Sequence, residues 1–178
     1  MAEVRLHAAH ETVDDAEARA LRALGHALGS LPERHRPIDT LQAICDLARE
    51  ITGAKYAALA VTDEHDYTQG FVTSGLTKEQ ERALPTPPQG HGPLGSLRAD
   101  GRPVRYDDVG NAPRAFGFPP KHPNMKTLLG VPIWALGNVR GSLYVADRTD
   151  GQPFGDDDEH VLLTLARHVS RVVEEEWY

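Results

Sequence analysis

Nine histidines and one cysteine are the side chains best suited to metal ligation or nucleophilic chemistry in this 178-residue chain. One of them has a distinctive setting. His122 lies in Gly117-Phe118-Pro119-Pro120-Lys121-His122-Pro123-Asn124-Met125, immediately ahead of the apolar run Thr127-Leu128-Leu129-Gly130-Val131-Pro132-Ile133. Prolines 119, 120 and 123 fix φ and remove backbone donors, so the segment is expected to be a stiff extended lid holding one imidazole in place. A fixed neutral imidazole can be a metal ligand, or a cap hydrogen-bonded to its own loop. His91, between Gly90 and Gly92, is the competing ligand. His7 and His10 fall in a polar tail, His65 in a polar turn, and His160 and His168 stand eight residues apart on one helix; none of these is expected to form a metal pair. The second chemical group is the phenol of Tyr144. Ser142 and Ala146 flank it on the same strand face, leaving room for a ligand beside the hydroxyl.

Cys45 excludes an intrachain disulfide, a cysteine-rich zinc site and any mechanism with a resolving thiol, and its helix position suits a small hydrophobe. Gly90 to Ser96 only superficially resembles a phosphate loop, because no βαβ unit surrounds it and no Gly-Lys-Ser/Thr ending follows. With 19 Lys and Arg against 26 Asp and Glu, and no basic stripe, nucleic acid is not an expected partner. Neither a membrane span nor a signal pattern is present, which places the chain in the cytoplasm.

The elements that must position these groups follow from periodicity and punctuation. Residues 1–13 read as a polar tail. Residues 14–31 read as a helix capped by Asp14 or Asp15, with a narrow stripe of Ala18, Leu21, Leu24 and Leu28 that suits a second subunit. Residues 32–178 read as one domain. Its second helix opens at Pro37 and ends at Gly53, burying Leu41, Ile44, Cys45, Leu47 and Ala48. Two strands follow, Tyr56 to Thr62 and Tyr67 to Thr73, then short helices at Leu76 to Leu84 and Leu94 to Asp100, and a strand at Arg102 to Arg105. Tyr106 to Asn124 is patternless and longer than an ordinary connection, as functional loops are. Leu128 to Ala135 and Arg140 to Asp147 form a hairpin closed at Leu136-Gly137-Asn138, with Leu143 and Val145 on one face and Ser142, Tyr144 and Ala146 on the other. The acidic run Asp156 to Glu159 opens the last helix.

This order, with Leu129-Gly130-Val131-Pro132-Ile133, Gly141-Ser142-Leu143-Tyr144 and Phe154-x-x-x-Asp158-Glu159, resembles a GAF domain from residue 36 or so to residue 175. The resemblance implies an α+β fold: a single antiparallel sheet with helices on one face and a ligand pocket under loops on the other. Asp147-Arg148 stands where the family's Asn-Lys-Phe-Asp-Glu signature has Asn-Lys, a departure from the cyclic-nucleotide-binding form. From Gly90 to Glu159 the chain is similar to the first GAF domain of the mycobacterial haem-based redox and oxygen sensor histidine kinases. That likeness is carried by Gly92-x-Leu94-Gly95, Gly117-Phe118-Pro119-Pro120-x-His122-Pro123-x-Met125, Leu129-Gly130-Val131-Pro132, Gly141-x-Leu143-Tyr144 and Gly151-Gln152-Pro153-Phe154. It implies haem as cofactor, His122 as the proximal iron ligand and Tyr144 on the distal side. Phe118, Met125, Gly130, Ser142, Gly92 and Leu94 complete the expected cofactor-binding set.

The expectation is a non-catalytic sensor domain for a small molecule or gas, homodimeric through its terminal helices, with a histidine kinase as output domain or partner. A kinase core is absent from these residues. The GAF family of free methionine sulfoxide reductases depends on several cysteines, which Cys45 alone cannot supply. The alternatives are a GAF module for a non-haem metabolite and a ligand-free dimerisation or signalling module.

Overall fold

The computed structural model describes residues 12–84, 93–109 and 124–178, with backbone only for 93–96. Helix α1 is Val13–Gly29 and α2 is Pro37–Thr52. Strands β1, Ala54–Thr62, and β2, Thr68–Ser74, form a hairpin. Helices α3, Lys78–Ala83, and α4, Pro93–Asp100, precede β3, Val104–Tyr106. Strands β4, Leu128–Ala135, and β5, Asn138–Arg148, lead to α5, Asp156–Trp177. The five strands make one antiparallel sheet in the order β2-β1-β5-β4-β3, the expected α+β class.

Punctuation acts where the residue chemistry requires it. Pro37 occupies the first turn of α2, where its missing N–H costs nothing, and Gly53 ends the helix at φ +68°. At the β4–β5 turn Leu136 and Gly137 both have positive φ, +48° and +78°, the twist that suits a two-residue hairpin. Thr12, not Asp14 or Asp15, caps α1. Its hydroxyl accepts from the Asp15 amide at 3.2 Å, and Asp15 in turn accepts from the Thr12 amide at 3.2 Å. The third strand lies at 104–106 rather than 102–105, because Pro103 has no N–H to give a ladder.

The main core lies between α1, α2 and α5 and one sheet face. Leu59, Val61, Leu129, Val131, Ile133, Leu143 and Val145 meet Leu41, Ile44, Leu162, Leu165 and Val169 there, all buried. Each such side chain contributes about 1.5 to 3 kcal/mol. α1 belongs to this core. Its inward face is Ala16, Ala20 and Leu24, packed chiefly on α5, while Leu21 is half exposed. Of the expected stripe, Leu24 is buried and Leu28 packs against the core, whereas Leu21 faces out; Ala16 and Ala20 complete the inward face, their small side chains letting two helices approach closely. The nearest partner of α1 is α5 of the same chain, tied also by Arg167 to Glu17 at 3.1 Å.

At the β2 edge, Gln42 of α2 donates to the Thr73 carbonyl at 2.9 Å. The Cys45 thiol is directed at the Val72 carbonyl, 3.8 Å away. The end of α5 is held by both hairpins. Glu174 accepts from the Leu136 amide at 2.8 Å, the Tyr178 hydroxyl donates to the Thr62 carbonyl at 3.3 Å, and the Arg140 guanidinium lies 5.9 Å from the Tyr178 ring centre.

Candidate ligand face of the sheet

Strand alternation sends Leu143 and Val145 toward the helices and Ser142, Tyr144 and Ala146 to the opposite face, as the sequence predicts. The register completes that face. Tyr144 lies between Ala58 of β1 and Gly130 of β4, Ser142 between Ala60 and Pro132, and Ala146 between Tyr56 and Leu128. What fills the space above Gly130 is the Tyr144 ring. A Cβ on Gly130 would stand 2.6 and 2.7 Å from two ring carbons of Tyr144 and 3.0 Å from Leu97 of α4. The phenol lies down across the sheet because its neighbour has no side chain.

Around it Val109, Leu128 and Ala146 form a second, smaller apolar cluster, joined by Tyr56, Tyr106, Met125 and Tyr144. Burial pushes the Tyr144 phenol above its ordinary pKa, opposed by a hydrogen bond with Ser142 and by the positive charge of Arg98. Arg98, on α4, makes an ion pair with Asp66 in the β1–β2 turn. Asp147, at φ +54°, accepts from the Lys126 and Thr127 amides at 2.8 and 2.9 Å and so fixes the chain leading into β4.

Of the expected cofactor-binding set, Tyr144, Ser142, Gly130 and Met125 come together on this face. Leu94 contributes its backbone to α4. His122, Phe118 and Gly92, with the competing His91, lie outside the described residues. The flanks of residues 110–123 are nevertheless joined at this face. The Val109 amide donates to the Lys126 carbonyl at 2.6 Å, and Val109 and Met125 share the Tyr144 cluster. Tyr56, Leu97, Arg98 and Asp66 were missed. The same parity that placed Tyr144 would have found Tyr56, whereas the Arg98–Asp66 pair spans 32 residues of chain with no local signal.

Elsewhere the chemistry is structural. Cys45 is fully buried, and burial drives its thiol pKa far up, so it is held protonated. Among the described residues no group of three or more His, Cys, Asp or Glu is arranged to hold a metal. In an open cleft of about 750 Å³ between the starts of α1 and α5 and the end of α2, Arg148 is paired with Asp150 and Asp158, and Asp156 with Arg105. Arg148 replaces the signature lysine and reaches Asp158 at 3.1 Å, while Phe154 is buried in the main core. No helix among the described residues is long and apolar enough to cross a membrane.

An antiparallel sheet with helices packed on one face and an aromatic cluster on the other defines an α+β architecture. The chain belongs to the GAF domain family, whose family model matches residues 35–174. Its fold is similar to that of the GAF domain from a phosphoenolpyruvate-protein phosphotransferase of Coxiella burnetii, with a TM-score of 0.69 and 21% identity over 89% of this chain and 92% of that one. It is also similar to free methionine-R-sulfoxide reductase from Neisseria meningitidis, with a TM-score of 0.62 and 20% identity over 94% and 95% of the two chains. A methyl-accepting chemotaxis protein segment, residues 122 to 287, matches with a TM-score of 0.56 and 14% identity over 89% and 94%.

Proposed function

We propose that this GAF domain is a sensor whose ligand rests on the Tyr144 face, and that the ligand is haem, its iron held by the His122 imidazole, with the Tyr144 hydroxyl as a hydrogen-bond donor. The observation that carries the reading is the cluster itself. Tyr144, Leu128, Ala146 and Met125 form a buried apolar and aromatic cluster joined to both flanks of the segment bearing His122, and side chains of this kind suit a flat macrocycle. Haem, when bound, would supply an iron able to bind a small gas or to change oxidation state. The chain's own residues would hold the iron through the His122 imidazole, exclude water with Val109, Leu128 and Met125, and offer the Tyr144 hydroxyl as donor.

A smaller, non-haem metabolite is the second reading, favoured by one observation: the Tyr144 ring and Leu97 already occupy the space above Gly130. Absorption titration with haem separates the two. A Soret band that forms with wild type and is lost in His122→Ala, with circular dichroism unchanged, supports haem. A band of equal strength in both removes His122 as ligand, and no band at all leaves the metabolite reading.

A signalling role, with a histidine kinase as output domain or partner, is part of the proposal; the chemotaxis protein segment that shares this fold supports the signalling part. A reductase role is not carried over from the Neisseria enzyme, because the single cysteine is buried with its thiol protonated. Homodimerisation is part of the proposal. Val13 and Leu21, both half exposed, are the apolar residues α1 leaves for it, and sedimentation at micromolar concentration decides the matter.

A further inference from the structure

Helix α4 is the element that brings charge to the otherwise apolar face. Leu97 is buried against the Tyr144 and Gly130 contact, and the next residue, Arg98, reaches over to the β1–β2 turn, where Asp66 holds it. Of three other described arginines, Arg105 is held by Asp156, Arg140 by the Asp63 carbonyl and the Tyr178 ring, and Arg102 is exposed between α4 and β3. Arg98 is placed at this face by its neighbour Leu97, which packs beside Gly130 and the Tyr144 ring, and its positive charge opposes the burial that raises the phenol's pKa. Its pair with Asp66 is solvent-facing, with 42% of the arginine and 65% of the aspartate side chain exposed, and a pair of that kind is easily exchanged.

We infer that Arg98 is the anion-recognising residue of this face: the ligand carries a carboxylate or comparable anionic group and takes Arg98 from Asp66 as it binds. The inference rests on the reading of this face as the ligand site and gives that ligand a chemical class. A guanidinium at the border of an apolar surface binds a carboxylate in a forked geometry that water competes with poorly, whereas Asp66 meets it in solvent. The exchange costs the protein little and uncouples α4 from the β1–β2 turn. A chain of net charge −7 repels anions in general, so a preference for an acid over its neutral counterpart requires a placed cation of this kind.

The test uses two pairs of probes on the full chain: haem against its dimethyl ester, and 2-naphthoate against 2-naphthamide. Affinities are measured by absorption for the first pair and by ligand-observed NMR for the second, in wild type, Arg98→Gln, Arg98→Lys, Asp66→Asn and Lys126→Gln, with circular dichroism as the fold control. The expected result is an acid form bound about tenfold or more tighter than its neutral counterpart. Arg98→Gln abolishes that preference and Arg98→Lys retains part of it. Asp66→Asn, which removes the competitor, strengthens acid binding several-fold, and Lys126→Gln leaves the preference intact. If the naphthyl pair behaves this way while neither haem form binds, Arg98 keeps its role and haem is eliminated. Equal binding of acid and neutral probes, or a preference that survives Arg98→Gln, overturns the assignment while leaving the ligand face standing. Failure of all four probes to bind overturns both.

Discussion

Replacing Gly130 with alanine sets two effects of opposite sign against each other. In a strand, alanine loses less backbone freedom than glycine on folding, a gain of about 0.5 to 1 kcal/mol. Against this, the new methyl would stand 2.6 and 2.7 Å from the Tyr144 ring and 3.0 Å from Leu97. Overpacking of this kind costs about 1 to 3 kcal/mol. The net expectation is a loss of about 0.5 to 2 kcal/mol, a fall in Tm of about 1 to 8 °C for a domain of this size. In a Tyr144→Ala background the ring is gone, and only the flexible end of Leu97 must give. There the backbone gain wins, and Gly130→Ala becomes stabilising. Guanidinium denaturation of the four-member cycle, with matched m-values, measures the sign in each background. Phenol titration gives a second signal. Burial holds the Tyr144 pKa above its ordinary value, and lifting the ring off the sheet in Gly130→Ala brings it back down. The same cost in both backgrounds, or an unmoved titration, would refute the claim that Tyr144 rests on Gly130.

Cys45 should resist Ellman's reagent at pH 8 in the native protein and react only on unfolding, since the thiol is fully buried and its pKa is driven up by that burial. Removing residues 1–29 should cost about 3 kcal/mol or more and expose the apolar face of α5 to dye binding, because Leu24, Ala16 and Ala20 pack within the chain. An unchanged unfolding midpoint would contradict that packing. Arg148→Ala should destabilise by about 1 to 3 kcal/mol in urea, since Asp158, 8% exposed, would keep only the Gly155 amide as partner. Burial and Arg171 hold the His168 imidazole below its ordinary pKa, opposed by Glu175. The folded state therefore disfavours the protonated form. Its stabilising effect is complete above the unfolded value of about 6.5 and is lost as pH falls through the lower folded value, so His168→Gln should flatten the stability profile below pH 6.5.

The strand half of the site could be read from sequence because its geometry has period two. Once β5 was identified, Leu143 and Val145 had to oppose Ser142, Tyr144 and Ala146, and the sheet contradicts none of these assignments. Gly130 was legible as a gap, although what filled it was not, since that depends on the cross-strand register with Tyr144. Helix α1 misled for a different reason. Leu24 and Leu28 of the leucine-rich stripe do face the core, but Leu21 does not, and the rest of the contact is made by Ala16 and Ala20, whose small side chains carry little hydrophobic signal. The Arg98–Asp66 pair had no trace in either local pattern, because a helix in one half of the sequence meets a turn in the other. His122, the most conspicuous residue of the sequence, lies outside the described residues, and its role rests with the haem titration.

The hydrogen bond from Gln42 to the Thr73 carbonyl has a consequence for assembly. An edge strand is where a β-sheet invites another chain to continue it, and here a helix side chain is hydrogen-bonded to the backbone of that edge strand. At the far edge β3 offers only three residues, too short a template for lasting pairing. Two copies of this domain are thus steered away from merging into one continuous sheet. They would meet through the outer surfaces of their helices and loops, where an association can be made and released without disturbing the strand register that holds Tyr144 over Gly130.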